Sequence, residues 1–348
     1  MATKLSAWYP WVSHPLITNA PMRNTAGPEL AVTVSKTGGL GFIGPSNSPA
    51  SDLKEASELI AKSPSTPLSS QSTLPIGIGF LIWEGNLDGV ASAIQTYKPC
   101  TAWLYAPREK QELSTWMEKL RSVSPETKIW LQIGTVAEAK EILADKVRPD
   151  VVVIQGAEAG GHGRAVDGMG LMTLFPEIAD VLHDSGIPLL AAGGIADGRG
   201  AAAAFCLGAS GITMGTRFLA SPQARKVPKG YQNEIVNSSD GARSTTRTLL
   251  YNHLNGVYGW PEPFSPRLIV NKTWDDHRAG VGFEELQKRY DEARKEGDKG
   301  YGPDGRLVVY AGAGIGLIGE VKDAVRIVED TRGEVVKLLS GFQFGTKL

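Results

Sequence analysis

Eight short apolar, β-branched runs, each followed by a stretch of helical period, leave this chain few architectures to choose from. The runs fall at residues 16–22, 40–44, 74–81, 101–106, 128–134, 151–156, 187–194 and 211–218. Helical stretches lie between them near 29–36, 52–62, 87–97, 110–121, 136–145, 173–183 and 197–207, and a last one near 320–339 takes the eighth place. The sixth run opens Val151-Val152-Val153-Ile154. Being apolar at every position, it reads as a strand covered on both faces in a parallel sheet. A strand and helix repeated eight times predict a (β/α)8 TIM barrel, α/β in class. The competitor is an open doubly wound sheet, but no GxGxxG fingerprint follows the first strand. A length of 348 residues suits one barrel with additions.

The additions follow the eighth run. Residues 221–310 are polar and rich in Asn, Arg, Gly and Pro, with a helical patch at 283–296. Tyr258, Trp260, Phe264 and Trp274 give this segment core-forming aromatics, so it reads as a small folded cap rather than a disordered insert. The expected division is a barrel of residues 1–220 and 311–348, with 221–310 inserted over its mouth. Tyr231, Tyr251, Tyr258 and Trp260 then serve either as a lid or as the cap's own core.

Charge and cysteine content narrow the function. Lys and Arg number 36 against 37 Asp and Glu, a formal charge of −1. No basic excess points to nucleic acid or an anionic membrane, so a small-molecule substrate is expected. Cys100, just before the fourth run, and Cys206, in a helix, supply neither a disulfide framework nor metal-ligand spacing; no metal is expected. With no stretch of ~20 apolar residues and no secretory leader, a cytoplasmic location is expected. The terminal Thr346-Lys347-Leu348 resembles the Ser-Lys-Leu peroxisomal address, departing at its first position. No G-x-S-x-G elbow supports hydrolysis, and neither cysteine sits where a barrel dehydrogenase with a loop nucleophile would need one.

Barrel active sites gather at the C-terminal ends of the strands. Here those ends carry Asn19-Ala20-Pro21-Met22-Arg23-Asn24, then Gly77-Ile78-Gly79-Phe80 and Gln132. The sixth runs into Gln155-Gly156-Ala157-Glu158-Ala159-Gly160-Gly161-His162-Gly163, the seventh into Gly193-Gly194 and the eighth into Gly215-Thr216. Glycine pairs on the last two strands can cradle a phosphate with free backbone N–H groups, backed by a helix that Asp197 would N-cap. The plainer reading is that they turn tight corners. A phosphate bearing a planar ring that reaches the first, third and fifth strands suits these groups, and flavin mononucleotide fits. His162 would sit beside whatever is bound there, and an imidazole of pKa near ~6.5 is largely neutral at physiological pH; the alternative is a histidine that caps the turn. His183, at a helix end, and His14, His253 and His277, in loops, read as structural.

At these motifs the chain resembles the nitronate monooxygenase family, formerly called 2-nitropropane dioxygenases. The matching stretches are Ala20-Pro21-Met22, Gly38-Gly39-Leu40-Gly41-Phe42-Ile43, the motif around His162, Ala191-Ala192-Gly193-Gly194-Ile195-Ala196-Asp197-Gly198 and Met214-Gly215-Thr216-Arg217-Phe218, with a weaker match at 311–317. The resemblance implies FMN-dependent oxidation of alkyl nitronates, and of nitroalkanes, by dioxygen to a carbonyl compound and nitrite. Carried over by position, Ala20, Pro21 and Met22 would line the flavin ring and Gln132 its edge. Gly79, Gly156, Gly160 and Gly161 would adjoin the cofactor, Gly193, Gly194, Gly215 and Thr216 would hold its phosphate, and His162 would take the carbon-bound proton. A homodimer is compatible with this reading. Two positions depart from the family: Gly79 stands where several members carry Asn, and Ala313 where they carry Gln. Both remove a polar group from the expected substrate side and leave the substrate open. FMN-dependent NAD(P)H:enoyl or quinone reductases on the same barrel are the alternative, followed by a barrel that binds flavin without turnover.

Overall fold

The computed structural model describes residues 4–62, 67–68 and 70–341. Eleven strands form among them: β1 (Leu16–Asn19), β2 (Phe42–Ile43), β3 (Leu74–Leu81), β4 (Pro99–Tyr105), β5 (Lys128–Ile133), β6 (Val151–Gln155), β7 (Gly161–Arg164), β8 (Leu189–Ala192), β9 (Gly211–Met214), β10 (Thr245–Arg247) and β11 (Phe264–Ile269). Eight pair in parallel in the order β1-β9-β8-β6-β5-β4-β3-β2. The apolar run of β6 has no exposed surface, because side chains along a barrel strand point alternately into the barrel and under the helices.

The two ends of this order meet and make a (β/α)8 barrel. Thr18 and Leu40 form a parallel bridge, with the Leu40 N–H donating to the Ile17 carbonyl at 3.1 Å. The buried Asn19 amide then clamps the seam: Nδ2 donates to the Phe42 carbonyl at 2.8 Å, and Oδ1 accepts from the Phe42 N–H at 2.9 Å. A side chain here does what a longer β2 ladder would otherwise do. Tyr9 packs at the opposite end from the strand tips, its hydroxyl 2.8 Å from Thr101 Oγ1 and accepting from Trp130 Nε1 at 3.0 Å.

Helices Pro28–Lys36, Pro49–Ala61, Leu87–Tyr97, Lys110–Val123, Val136–Ala144, Leu171–Leu182 and Gly198–Cys206 follow the strands. Helix Ala324–Gly341 packs against both Gly198–Cys206 and Pro28–Lys36, and so takes the eighth outer place. No helix among the described residues is long and apolar enough to cross a membrane. Thr346-Lys347-Leu348 lies outside the described residues.

Several expected boundaries move for local reasons. The first strand stops at Asn19 rather than residue 22, because Pro21 has no N–H for the ladder and Met22 turns back to the Ala20 carbonyl at 2.9 Å. The seventh barrel strand ends at Ala192, because Gly193 (φ 107°) and Gly194 (φ 70°) turn left-handed. The eighth ends at Met214, and Thr216–Leu219 is a helical turn rather than strand. Cys100 lies inside β4, not before it, and is buried. His253 and His277 sit in helices Leu250–Leu254 and Lys272–Arg278, not in loops.

Residues 221–310 hold more structure than the expected helix, which runs Phe283–Lys295. Helix Lys229–Asn237 and strands β10 and β11 join it. Tyr251, Leu268, Leu286, Tyr290 and Leu307 form its own apolar cluster. Its sheet recruits a strand from the barrel side: β11 pairs antiparallel with β7, setting Pro266 opposite His162 and Arg267 opposite Gly161.

Candidate active site

The glycine run after β6 does more than turn a corner, because its second half is β7 and belongs to the cap's sheet. The motif is thereby stretched across the mouth of the barrel. Two groups hold the His162 backbone there. Its carbonyl accepts from the Tyr105 hydroxyl at 3.2 Å and from Gln155 Nε2 at 3.1 Å. The largest effort comes from Arg247, which donates to the carbonyls of Ala157 (3.2 Å), Ala159 (3.0 Å), Gly161 (3.2 Å) and Ser265 (2.6 Å). Burial and the neighbouring Arg267 push its guanidinium down to about 10, so it stays charged at neutral pH. A charged donor fork on neutral carbonyls is a strong way to hold an irregular backbone.

Beneath this span opens a cavity of about 590 Å3 at the strand tips. Its wall includes Ala20, Pro21 and Met22 from the end of β1, Gln132 from β5, Gly160, Gly161 and His162, and Gly193, Gly194, Gly215 and Thr216. Ten of the expected cofactor residues thus meet around one space. Gly79 and Gly156 do not line it. A Cβ on Gly79 would come within 2.5 Å of Pro21 Cβ, so this glycine makes room for the proline that forms the wall. A Cβ on Gly156 would come within 2.9 Å of Leu171. Nor is Ala313 on the wall; its N–H donates to the Glu158 carbonyl at 2.8 Å, while Gly312 and Gly314 beside it face the cavity.

The C-terminal turn and the motif fit backbone to backbone. A Cβ on Gly160 would lie 2.5 Å from the Ala311 carbonyl carbon, which leaves glycine as the residue that lets the two chains touch. Gly312 N–H donates to Thr216 Oγ1 at 3.0 Å. The helix after β8 contributes less than expected. Asp197 does cap it, accepting from the Arg199 and Gly200 N–H groups at 2.9 and 3.2 Å, and Glu334 takes the Gly198 N–H at 2.7 Å. Its first donors are therefore already used, and an anion in the cavity would have to be met by the Gly193-Gly194 and Gly215-Thr216 corners themselves.

His162 is set among groups from distant parts of the chain. Its ring stacks on the Trp260 indole at 3.6 Å between centroids and 7° between planes, with Tyr310 at 6.1 Å. Nε2 lies 3.0 Å from the Asn252 amide nitrogen. Burial drives the ring's pKa down to about 3; the charges of Arg247 and Arg23 push the same way, and the Asn252 contact opposes them. The imidazole is therefore neutral throughout the physiological range. The other histidines stand apart: His14 contacts Ser6 at 2.6 Å, His183 contacts Asp184 at 3.0 Å, and His253 and His277 pack on Tyr258 and Trp274.

Sequence reading placed His162 but not its surroundings. Asn252, Tyr310, Tyr105 and Arg247 carry no local signal, since Asn252 is 90 positions away from the ring it touches. Of the four cap aromatics, Trp260 lines the cavity on His162, Tyr231 lines it too while packed in a core cluster, Tyr251 is buried in the other cluster, and Tyr258 is exposed.

Comparison with known proteins gives the family of the chain. Residues 119–248, which contain the motif and both glycine corners, match the family model described as nitronate monooxygenase. A protein named nitronate monooxygenase npaC, from Metarhizium robertsii, is 53% identical over 335 residues, covering 95% of this chain and 94% of that one. This chain belongs to the nitronate monooxygenase family. A further member, named nitronate monooxygenase, from Neurospora crassa, is 32% identical over 98% of this chain and 94% of its own length. The chain is accordingly an oxidoreductase of the nitronate monooxygenase type. Among solved structures, FabK from Thermotoga maritima superposes with a TM-score of 0.73 at 25% identity, covering 99% of this chain and 100% of that one. Nitroalkane oxidase from Streptomyces ansochromogenes gives 0.72 at 22% identity over 97% and 99%, a likeness of fold.

Proposed function

We propose that this nitronate monooxygenase uses FMN to oxidise alkyl nitronates with dioxygen, releasing a carbonyl compound and nitrite, and that His162 extends the reaction to neutral nitroalkanes. The observation that carries the reading is a neutral imidazole on the wall of the same cavity as the two glycine corners. A volume of about 590 Å3 falls within the range of cofactor sites. Gly193, Gly194, Gly215 and Thr216 would hold the phosphate. Because Thr216 Oγ1 accepts from Gly312, its own O–H is left to donate to a phosphate oxygen. Ala20, Pro21, Met22, Gln132, Gly160 and Gly161 would adjoin the ring. The chemistry that FMN supplies when bound is electron transfer between nitronate and dioxygen.

The protein's part is binding, water exclusion and one proton. His162 takes the α-proton of a nitroalkane; the C–H bond breaks, its electron pair stays on the substrate as nitronate, and the ring becomes imidazolium. A nitronate has already lost that proton and needs no base. The test is to purify the protein, record its flavin spectrum, and follow anaerobic bleaching by an alkyl nitronate, by a nitroalkane and by NADH or NADPH. Bleaching by nitronate, with loss of the nitroalkane reaction alone in His162→Asn, is expected. Rapid bleaching by reduced nicotinamide with none by nitronate would move the assignment to a reductase, and a colourless protein that takes up no FMN would remove the flavin.

A further inference from the structure

Among the described residues, Asn252 is the one side chain that hydrogen-bonds to the His162 ring, and it comes from the cap, 90 positions away. Its residue is 3% exposed and lines the cavity. One end of its amide faces Nε2 at 3.0 Å; the other end, Oδ1, is buried with no partner among the described residues. Nothing else therefore fixes which way the amide faces. Nδ1 of His162, in contrast, has no hydrogen-bond partner among the described residues.

An amide can meet a ring nitrogen in two ways, because it carries both a donor and an acceptor of nearly the same shape. With Nδ2 toward the ring, Nε2 must be the bare nitrogen and Nδ1 carries the hydrogen. That tautomer offers substrate no open lone pair, since one nitrogen is protonated and the other is occupied. Turned by half a rotation, Oδ1 accepts from Nε2–H and Nδ1 is bare. Once the ring is protonated both nitrogens carry hydrogens, and only the second orientation avoids an N–H facing an N–H. The state that can accept a proton and the state that has accepted it thus share one amide orientation.

Resting on the assignment of His162 as the base, we infer that Nδ1 is the atom that takes the substrate proton, and that Asn252 is the positioning residue that makes it so by holding Nε2–H on Oδ1. The substrate C–H bond breaks, its proton goes to Nδ1, and the pair stays on the substrate; Nε2–H stays on Oδ1 throughout. Arg23 and Arg247 are the cations that disfavour the charged ring, and the Asn252 carbonyl is the dipole set against them. Trp260, parallel to the ring, adds a π-face that favours the same charge.

The first measurement needs no variant. Histidine labelled with 15N in the purified enzyme reports the tautomer of neutral His162 by NMR. The Nε2–H form is expected, and a ring protonated only on Nδ1 overturns the inference. The second is the ratio of nitroalkane to nitronate turnover in Asn252→Leu and Asn252→Asp. A hydrogen bond to a charged group of this kind predicts a ratio roughly 10- to 100-fold lower in Asn252→Leu. Asn252→Asp places a carboxylate on Nε2, so its nitroalkane turnover needs a more alkaline pH than that of the parent enzyme. An unchanged ratio in Asn252→Leu with an unshifted pH profile in Asn252→Asp also overturns it, provided His162→Asn abolishes nitroalkane turnover. If His162→Asn leaves that turnover intact, the base assignment itself has failed.

Discussion

Lowering the pH should destabilise this enzyme through His162 in a way its Gln variant does not share. The ring's pKa falls from an ordinary 6.5 to about 3 in the folded protein. An unfolded chain therefore binds a proton at His162 between these values while the folded chain does not. By linkage, the stabilisation is present above pH 6.5 and is lost progressively as pH falls toward 3. At ~1.36 kcal/mol per pKa unit, a ring that stays neutral to pH 5.0 accounts for about 2 kcal/mol of lost stability between pH 7.5 and 5.0. Because the ring lines the cavity and keeps some exposure, water tempers the effect, and about 1–2 kcal/mol is the expected figure. Urea denaturation of the parent and His162→Gln at both pH values isolates it, since every other titrating group is common to the two. The parent should lose that much more than the variant. Parallel losses would refute the claim that burial holds this imidazole neutral.

Two further outcomes follow from buried hydrogen bonds. Asn19→Leu removes the amide that joins β1 to β2, stranding the Phe42 N–H and carbonyl; a loss of roughly 2–4 kcal/mol is expected in chemical denaturation, and a loss below ~1 kcal/mol would mean the seam does not depend on it. Arg247→Met takes the guanidinium donors from the carbonyls of Ala159 and Gly161 and leaves Ala157 to Arg267 alone, so nitroalkane turnover should fall about tenfold or more, as misplacement of a catalytic group does; parent-like turnover in steady-state kinetics would show that β7 holds His162 without it.

The strand tips were legible because what marks them is local. An apolar run ends, glycines begin, and the next helix starts a few residues later, so Gly160, Gly161, Gly193, Gly194, Gly215 and Thr216 could be picked out and do converge on one cavity. Gly79 and Gly156 carry the same local mark, yet they stand behind the wall. A glycine reports that something comes close, and only the packing says whether the neighbour is Pro21 or a ligand. Asp197 shows the same limit: its capping role was readable, but the Glu334 carboxylate that takes the next helix donor lies 136 positions away.

By itself the sequence determined the (β/α)8 architecture, the end of the barrel where the cavity opens, and the imidazole on its wall, because periodicity and strand-end glycines are properties of neighbouring residues. Only the tertiary structure decided what surrounds that imidazole. Pairing β7 with β11 brings the cap onto the motif, and with it come Trp260 against one face of the ring and Asn252 against Nε2. Burial in this setting lowers the His162 pKa while the Asn252 contact opposes it, and these neighbours meet because a sheet pairs residues by register, at whatever distance along the chain they lie.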